Sequence, residues 1–146
     1  MNIREAARGI ILNPQGEILL IKMKADSSKS NQRGFSHFWL TPGGKVESSE
    51  SHEEALAREI KEETGIEDFL IGEFLFTNEL DVTWDNVPTH IINRHYLVRS
   101  EKITPTMDYL IDYEKELVLG YKWWPIEELK KTTEMVFPEN LTSYLS

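Results

Sequence analysis

The chain has no cysteine among its 146 residues. That excludes a disulfide framework, a thiolate-held zinc, an iron–sulfur cluster and a thiol nucleophile. Basic residues are few beside acidic ones, 16 Lys and Arg against 25 Asp and Glu, a net charge of −9. A surface of that sign is poorly suited to polymeric nucleic acid, which needs a basic face to displace counterions, and to anionic lipid. No apolar run approaches the roughly 18 residues of a membrane span. The first residues, Met1 to Glu5, lack the charged-then-apolar layout of a secretory signal, and a cytoplasmic setting is expected.

What is present reads as an ordinary globular composition, 40% hydrophobic and 28% charged, so one folded domain over residues 1–146 is expected. Two apolar runs, residues 6–12 and 17–23, flank Asn13-Pro14-Gln15-Gly16, which is hairpin chemistry. A polar loop over 24–37 follows, then Thr41-Pro42-Gly43-Gly44, where two glycines mark a sharp turn or a close approach. Ser51 and Glu54 form a capping-box pattern for a helix ending at Gly65, a residue suited to the left-handed C′ position. Two long strands are expected over 69–85 and 89–99, a loop over 100–116 and a strand over 117–124. A short helix is expected from Pro125 to Lys130 and a closing helix over 138–145. Strands and helices are mixed rather than strictly alternating, which favours a mixed sheet covered by a few helices, an α+β fold.

The helix carries the chemistry. At about 100° per residue, Glu63 falls about 20° from Leu56, inside the apolar stripe that Ile60 shares. Glu59 and Glu62 lie on the adjoining flank. A carboxylate in an apolar stripe loses hydration, and three crowded carboxylates repel or take up protons unless a cation sits among them. The wider pattern is G-x5-E-x7-R-E-U-x-E-E-x-G-U, with U aliphatic, running from Gly44 through Glu50, Arg58, Glu59, Ile60, Glu62, Glu63 and Gly65 to Ile66. A chance match in this chain is on the order of one in a million.

On these residues the chain resembles the Nudix hydrolase family, MutT-like proteins included. A Trp-Trp-Pro-x-Glu-Glu-Leu run at 123–129 agrees. The resemblance implies an α/β/α sandwich with a mixed central sheet. It also implies metal-dependent cleavage of a pyrophosphate bond in a nucleoside diphosphate joined to a group X. Mg²⁺, with Mn²⁺ as substitute, would be held by Glu59, Glu62 and Glu63, with the Gly44 carbonyl and Glu50 contributing. Arg58 would orient carboxylates. A general base would come from Glu59 or Glu62, or from the loop residues Glu114 and Glu116, of which Glu116 is preferred here as nearer the following strand.

Lys22, Lys24, Arg33 and Lys45 are candidates for phosphate contact, and Trp39 for stacking on a base, although each residue type also has a bland surface or core role. His95 alternates within a strand and reads as structural. Secondary markers of ADP-ribose and dinucleoside polyphosphate hydrolases are missing, because Asp81 and Val82-Thr83-Trp84 stand at those positions. A nucleoside triphosphate or small nucleotide derivative is the default substrate, with a possible homodimer as the assembly. A catalytically silent nucleotide-binding module is the alternative.

Overall fold

A computed structural model describes residues 2–25, 36–84 and 86–145. Strands β1 (Asn2–Leu12) and β2 (Glu17–Lys24) form the expected hairpin, with Leu12 opposite Ile18. Asn13 makes the turn: its side-chain oxygen accepts from the backbone N–H of Gln15 at 2.9 Å and Glu17 at 3.0 Å. β3 (His37–Leu40) and a three-residue β4 (Gly43–Lys45) follow, then helix α1 (His52–Thr64). β5 (Leu70–Trp84) and β6 (Val87–Arg99) form a long antiparallel pair. The chain continues through α2 (Asp112–Leu117), β7 (Val118–Pro125), α3 (Ile126–Lys131) and β8 (Val136–Phe137), and ends in a 3-10 turn at Leu141–Tyr144.

The sheet is mixed. Its main path runs β5-β6-β1-β2-β3-β8, with β4 on β1 and β7 on β2. β1 lies parallel to β6 from Asn2 opposite Thr89 to Leu12 opposite Arg99. Side chains alternate between two buried faces, so β1 is apolar on both over Ile10 and Ile11. One face, with Ala7, Ile11, Leu19 and Val98, packs against Leu56 and Ile60 of α1. The other, with Ile10, Ile18, Leu20 and Trp124, packs against Leu129 of α3 and Leu141 of the 3-10 turn. Helical layers on both faces make the expected α/β/α sandwich.

Two expectations need correction, and one segment gains a strand. The closing helix is one 3-10 turn, because Pro138 starts a segment too short to hold an α-helix without a large buried face. The loop over 100–116 contains the start of α2, six residues with little periodicity to reveal it. The glycine segment forms β4, paired antiparallel with Ala6–Arg8. Among the described residues no helix is long and apolar enough to cross a membrane.

Candidate active site

Local chemistry fixes α1 at both ends. Ser51 Oγ accepts from the Glu54 N–H at 3.1 Å, and the Glu54 carboxylate accepts from the Ser51 N–H at 2.8 Å. Gly65 ends the helix at φ 75°, where an added Cβ would collide with Thr106. The last turn is tied to the sheet by Tyr121 of β7, whose hydroxyl donates to the Glu63 carbonyl at 2.5 Å. That hydroxyl meets one of the carbonyls every helix end leaves without an intrahelical partner.

The Gly43-Gly44 backbone lies directly on the helix carboxylates. The Gly43 N–H donates to Glu63 Oε1 at 2.7 Å. Gly44 is so close to Glu59 that an added Cβ would stand 2.5 Å from its Cδ. Gly43 adopts φ 151°, and a Cβ there would run into the Ala7 carbonyl of β1. The two glycines therefore serve close approach on two sides, one to a strand and one to a carboxylate.

Arg58 organises the rest. Its Nε and Nη2 grip the Glu50 carboxylate at 2.7 and 2.9 Å, a two-point fork. Nη1 donates to Glu59 at 2.9 Å and reaches Glu62 at 3.4 Å, and Nη2 donates to the Lys45 carbonyl at 3.0 Å. Glu54, four residues before Arg58, is occupied by the cap and takes no part in this clamp. The guanidinium holds the Glu50 carboxyl at about 2, well below its ordinary range, and its own pKa rises in return.

Glu59 and Glu63 shift the other way. Burial raises Glu59, against the pull of Arg58. Burial pushes Glu63 up to about 8, with the charge of Glu59 adding to it and Arg8 opposing. Carboxylates turned on Arg58 and the Gly43 N–H do not converge on one point. Among the described residues no three His, Asp or Glu side chains are gathered as a metal cage. The donor set nevertheless suits a hard divalent cation, all oxygen and poorly hydrated in its charged form.

The sign of the pH effect follows from linkage. A carboxyl raised by folding contributes stability that is complete below its ordinary pKa and is lost as pH climbs through the raised one. For Glu63 that window runs from 4.5 to about 8. In chelator, the protein should lose about 3–5 kcal/mol across it. Glu63→Gln keeps an acceptor for Gly43 and should abolish that loss. Thermal melts in EDTA at low and high ends of the window check this, and parallel behaviour of the two proteins would refute it.

The loop carboxylates separate. Glu114 is partly buried and its charge is felt at Glu59, Glu63 and Tyr121. Glu116 is exposed on α2. Of the two loop candidates, Glu114 is therefore the one whose charge reaches the helix carboxylates.

On the opposite side of β4 lies a cavity of about 580 Å³, a size suited to a small organic ligand. Its walls are apolar, with Phe38, Leu40, Leu80, Ile91 and Phe137. Arg4, Arg8 and Lys45 line it too, beside Gly44, which joins cavity to carboxylates. Lys45, a candidate for phosphate contact, is thus among the residues lining the cavity.

Trp39 is not on the cavity wall. It is buried edge-on against Trp124, its indole N–H donates to Glu134 at 3.0 Å, and Lys22 sits over its ring rather than in the cavity. A large aromatic on a central strand found more to pack against in the core than at the surface. Arg33 lies outside the described residues.

Sequence reading missed Arg8, Tyr121 and the polar side chains Asn78 and Asn93. A signal existed for some of them. Arg4, Ala6 and Arg8 alternate on one face of β1, as Ile91, Asn93 and His95 do on β6, and the parallel register sets the two rows side by side.

The sandwich thus sets a clamped carboxylate helix beside a ligand-sized cavity. The NUDIX domain family matches residues 2–145, and the chain belongs to that family. It is 35% identical over 80 residues, 55% of its length, to the CTP pyrophosphohydrolase of Escherichia coli K12. It is 40% identical over 62 residues, 42% of its length, to the 8-oxo-dGTP diphosphatase of the same organism. The matched stretches span 54% and 43% of those two proteins, about half of each. The crystal structure of a MutT NUDIX hydrolase from Burkholderia pseudomallei shares the fold, with a TM-score of 0.67 over all of both chains at 20% identity.

Proposed function

We propose that this chain is a divalent-metal-dependent pyrophosphohydrolase, a single domain acting on a nucleoside triphosphate or a similarly small nucleoside diphosphate derivative. The observation that carries the reading is the placement of the carboxylate cluster and the cavity on either side of the Gly43–Lys45 strand. A nucleoside in the cavity would lay its phosphates across Gly44 toward Glu59 and Glu63. The chain's match to the CTP pyrophosphohydrolase and the 8-oxo-dGTP diphosphatase supports the same chemistry.

Glu59, Glu62 and Glu63 would hold Mg²⁺ or Mn²⁺, with Glu50 and the Gly44 carbonyl beside them. When bound, the cation neutralises phosphate charge and makes a bound water more acidic. The chain's own residues do the positioning. Arg58 fixes Glu50 and Glu59 in one clamp, so their oxygens stay ordered. Gly43 and Gly44 keep the backbone close enough for phosphates to reach the cluster. Lys45 would offer a cation toward the phosphate chain, and Glu114, whose charge reaches the cluster, would accept a proton from water.

The reading also takes the substrate to be a small molecule, not a nucleic-acid polymer, with a homodimer as the proposed assembly. A nucleotide panel incubated with Mg²⁺ tests the activity. Release of pyrophosphate or phosphate, lost on chelation, is expected with at least one nucleotide. Silence across the panel would leave a binding module in its place.

A further inference from the structure

We propose that the cavity selects nucleobases bearing an exocyclic oxygen, reading that oxygen with the amide N–H groups of Asn78 and Asn93, while His95 and Arg8 hold the two amides in place. The proposal rests on the cavity being the nucleoside half of the site. It names the class of base that half accepts.

Asn93 comes first because its orientation has no alternative. It lies on the cavity wall, and its side chain meets Arg8 Nε at 3.4 Å. Arginine only donates, so the Asn93 oxygen faces Arg8 and the amide nitrogen is left for other partners. Arg8 is itself anchored, donating through Nη1 to the Thr41 carbonyl at 2.6 Å.

Asn78 is set by His95. Its Oδ1 lies 2.8 Å from His95 Nε2, and the other ring nitrogen, Nδ1, is enclosed with no partner. A proton on Nδ1 would be a buried donor without an acceptor, which costs more than an idle lone pair. The proton therefore sits on Nε2 and is donated to Asn78. Arg8 stands opposite His95 across the β1–β6 register, and burial together with that charge depresses the ring to about 3, so it stays neutral. The ring is also held flat. It stacks on Phe76 at 4.4 Å, and Phe76 stacks on Tyr144 of the closing turn at 3.9 Å.

Each amide oxygen thus takes a hydrogen bond from inside the protein, which leaves both amide nitrogens as donors for the cavity that the two residues line. Two neighbouring donors match a carbonyl oxygen, which has two lone pairs, better than a ring nitrogen, which has one. They oppose an exocyclic amino group, which is a donor too. Guanine, hypoxanthine, uracil and cytosine each offer an oxygen to such a pair. Adenine does not. The apolar side chains of the wall grip any flat ring.

Hypoxanthine and adenine make the sharpest comparison, since they share a ring system and differ at the 6-position. The test is calorimetric titration of the full chain with inosine 5′-monophosphate and with AMP, in chelator, where no cleavage occurs. The inosine nucleotide should bind about tenfold tighter or more. Asn78→Leu should bring the ratio near one. His95→Phe keeps the stack but frees the Asn78 amide, and should also flatten the ratio, which loss of packing alone would not do. Asn78 is on a partly open strand position, so its variant remains informative if the buried His95 variant folds poorly. Equal affinities, a preference for AMP, or binding of neither overturns the proposal. The two readings fail separately. A preference without turnover on any nucleotide sinks the hydrolase alone, and turnover without the preference sinks this selection alone.

Discussion

Replacing Glu63 by glutamine should lower turnover by roughly 10²–10³-fold, about 3–4 kcal/mol of transition-state stabilisation. The size follows from where the charge sits. Burial pushes the Glu63 carboxyl up to about 8, so its surroundings alone disfavour a negative charge there. A divalent cation would reverse that preference, and glutamine offers it no charge. The same change should make the metal-free protein more stable at the alkaline end, since the isostere still accepts from the Gly43 N–H. A variant that folds better and works worse is the signature of a group kept for chemistry at a cost in stability. Initial rates at saturating Mg²⁺, beside melts in chelator, give both halves. A variant with full rate would remove Glu63 from the catalytic set.

The second large effect separates two adjacent glycines. Gly43→Ala should destabilise the fold by about 3 kcal/mol or more, because the new methyl meets backbone of a central strand that cannot move and sits at a strained φ. Gly44→Ala should leave stability within about 1 kcal/mol, because the methyl meets only the far end of Glu59, which can swing away. Swinging it away breaks the 2.9 Å contact with Arg58 and misplaces an oxygen of the cluster. Activity should then fall by roughly 10²-fold, the usual result of a misplacement near 1 Å. Chemical denaturation read against initial rates distinguishes the pair. If Gly44→Ala loses stability while its rate holds, the close approach to Glu59 is only packing.

How much of this was legible follows from how local each signal is. Helix α1 could be read to within a residue, since Ser51, Glu54 and Gly65 mark its ends through contacts no more than a few positions long. The inward placement of Glu63 could be read as well, because one helical period sets it. Arg58 was readable as a clamp only in part. Its main partner, Glu50, lies eight residues back across the cap, beyond the reach of helix arithmetic.

The cavity was not legible at all. Its wall draws on β1, β3, β5, β6 and the segment after β8, and only the sheet order brings them together. Trp39 shows the converse. Its chemistry suits a base, but the sheet gives it Trp124 to pack against and Glu134 to bond. For Glu114 and Glu116 the deciding feature was a six-residue helix too short to announce its inward side.

The parallel pairing of β1 with β6 also governs when the molecule can assemble. Asn2 finds its neighbour only at Thr89, so the strand synthesised first waits for a strand made much later. Closing so long a loop costs entropy before any contact repays it, and folds dominated by distant pairings are slow to form. On the ribosome, Arg4 and Arg8 leave the exit tunnel long before Asn93 and His95 do. The two halves of the cavity wall therefore meet late, after most of the domain has been translated.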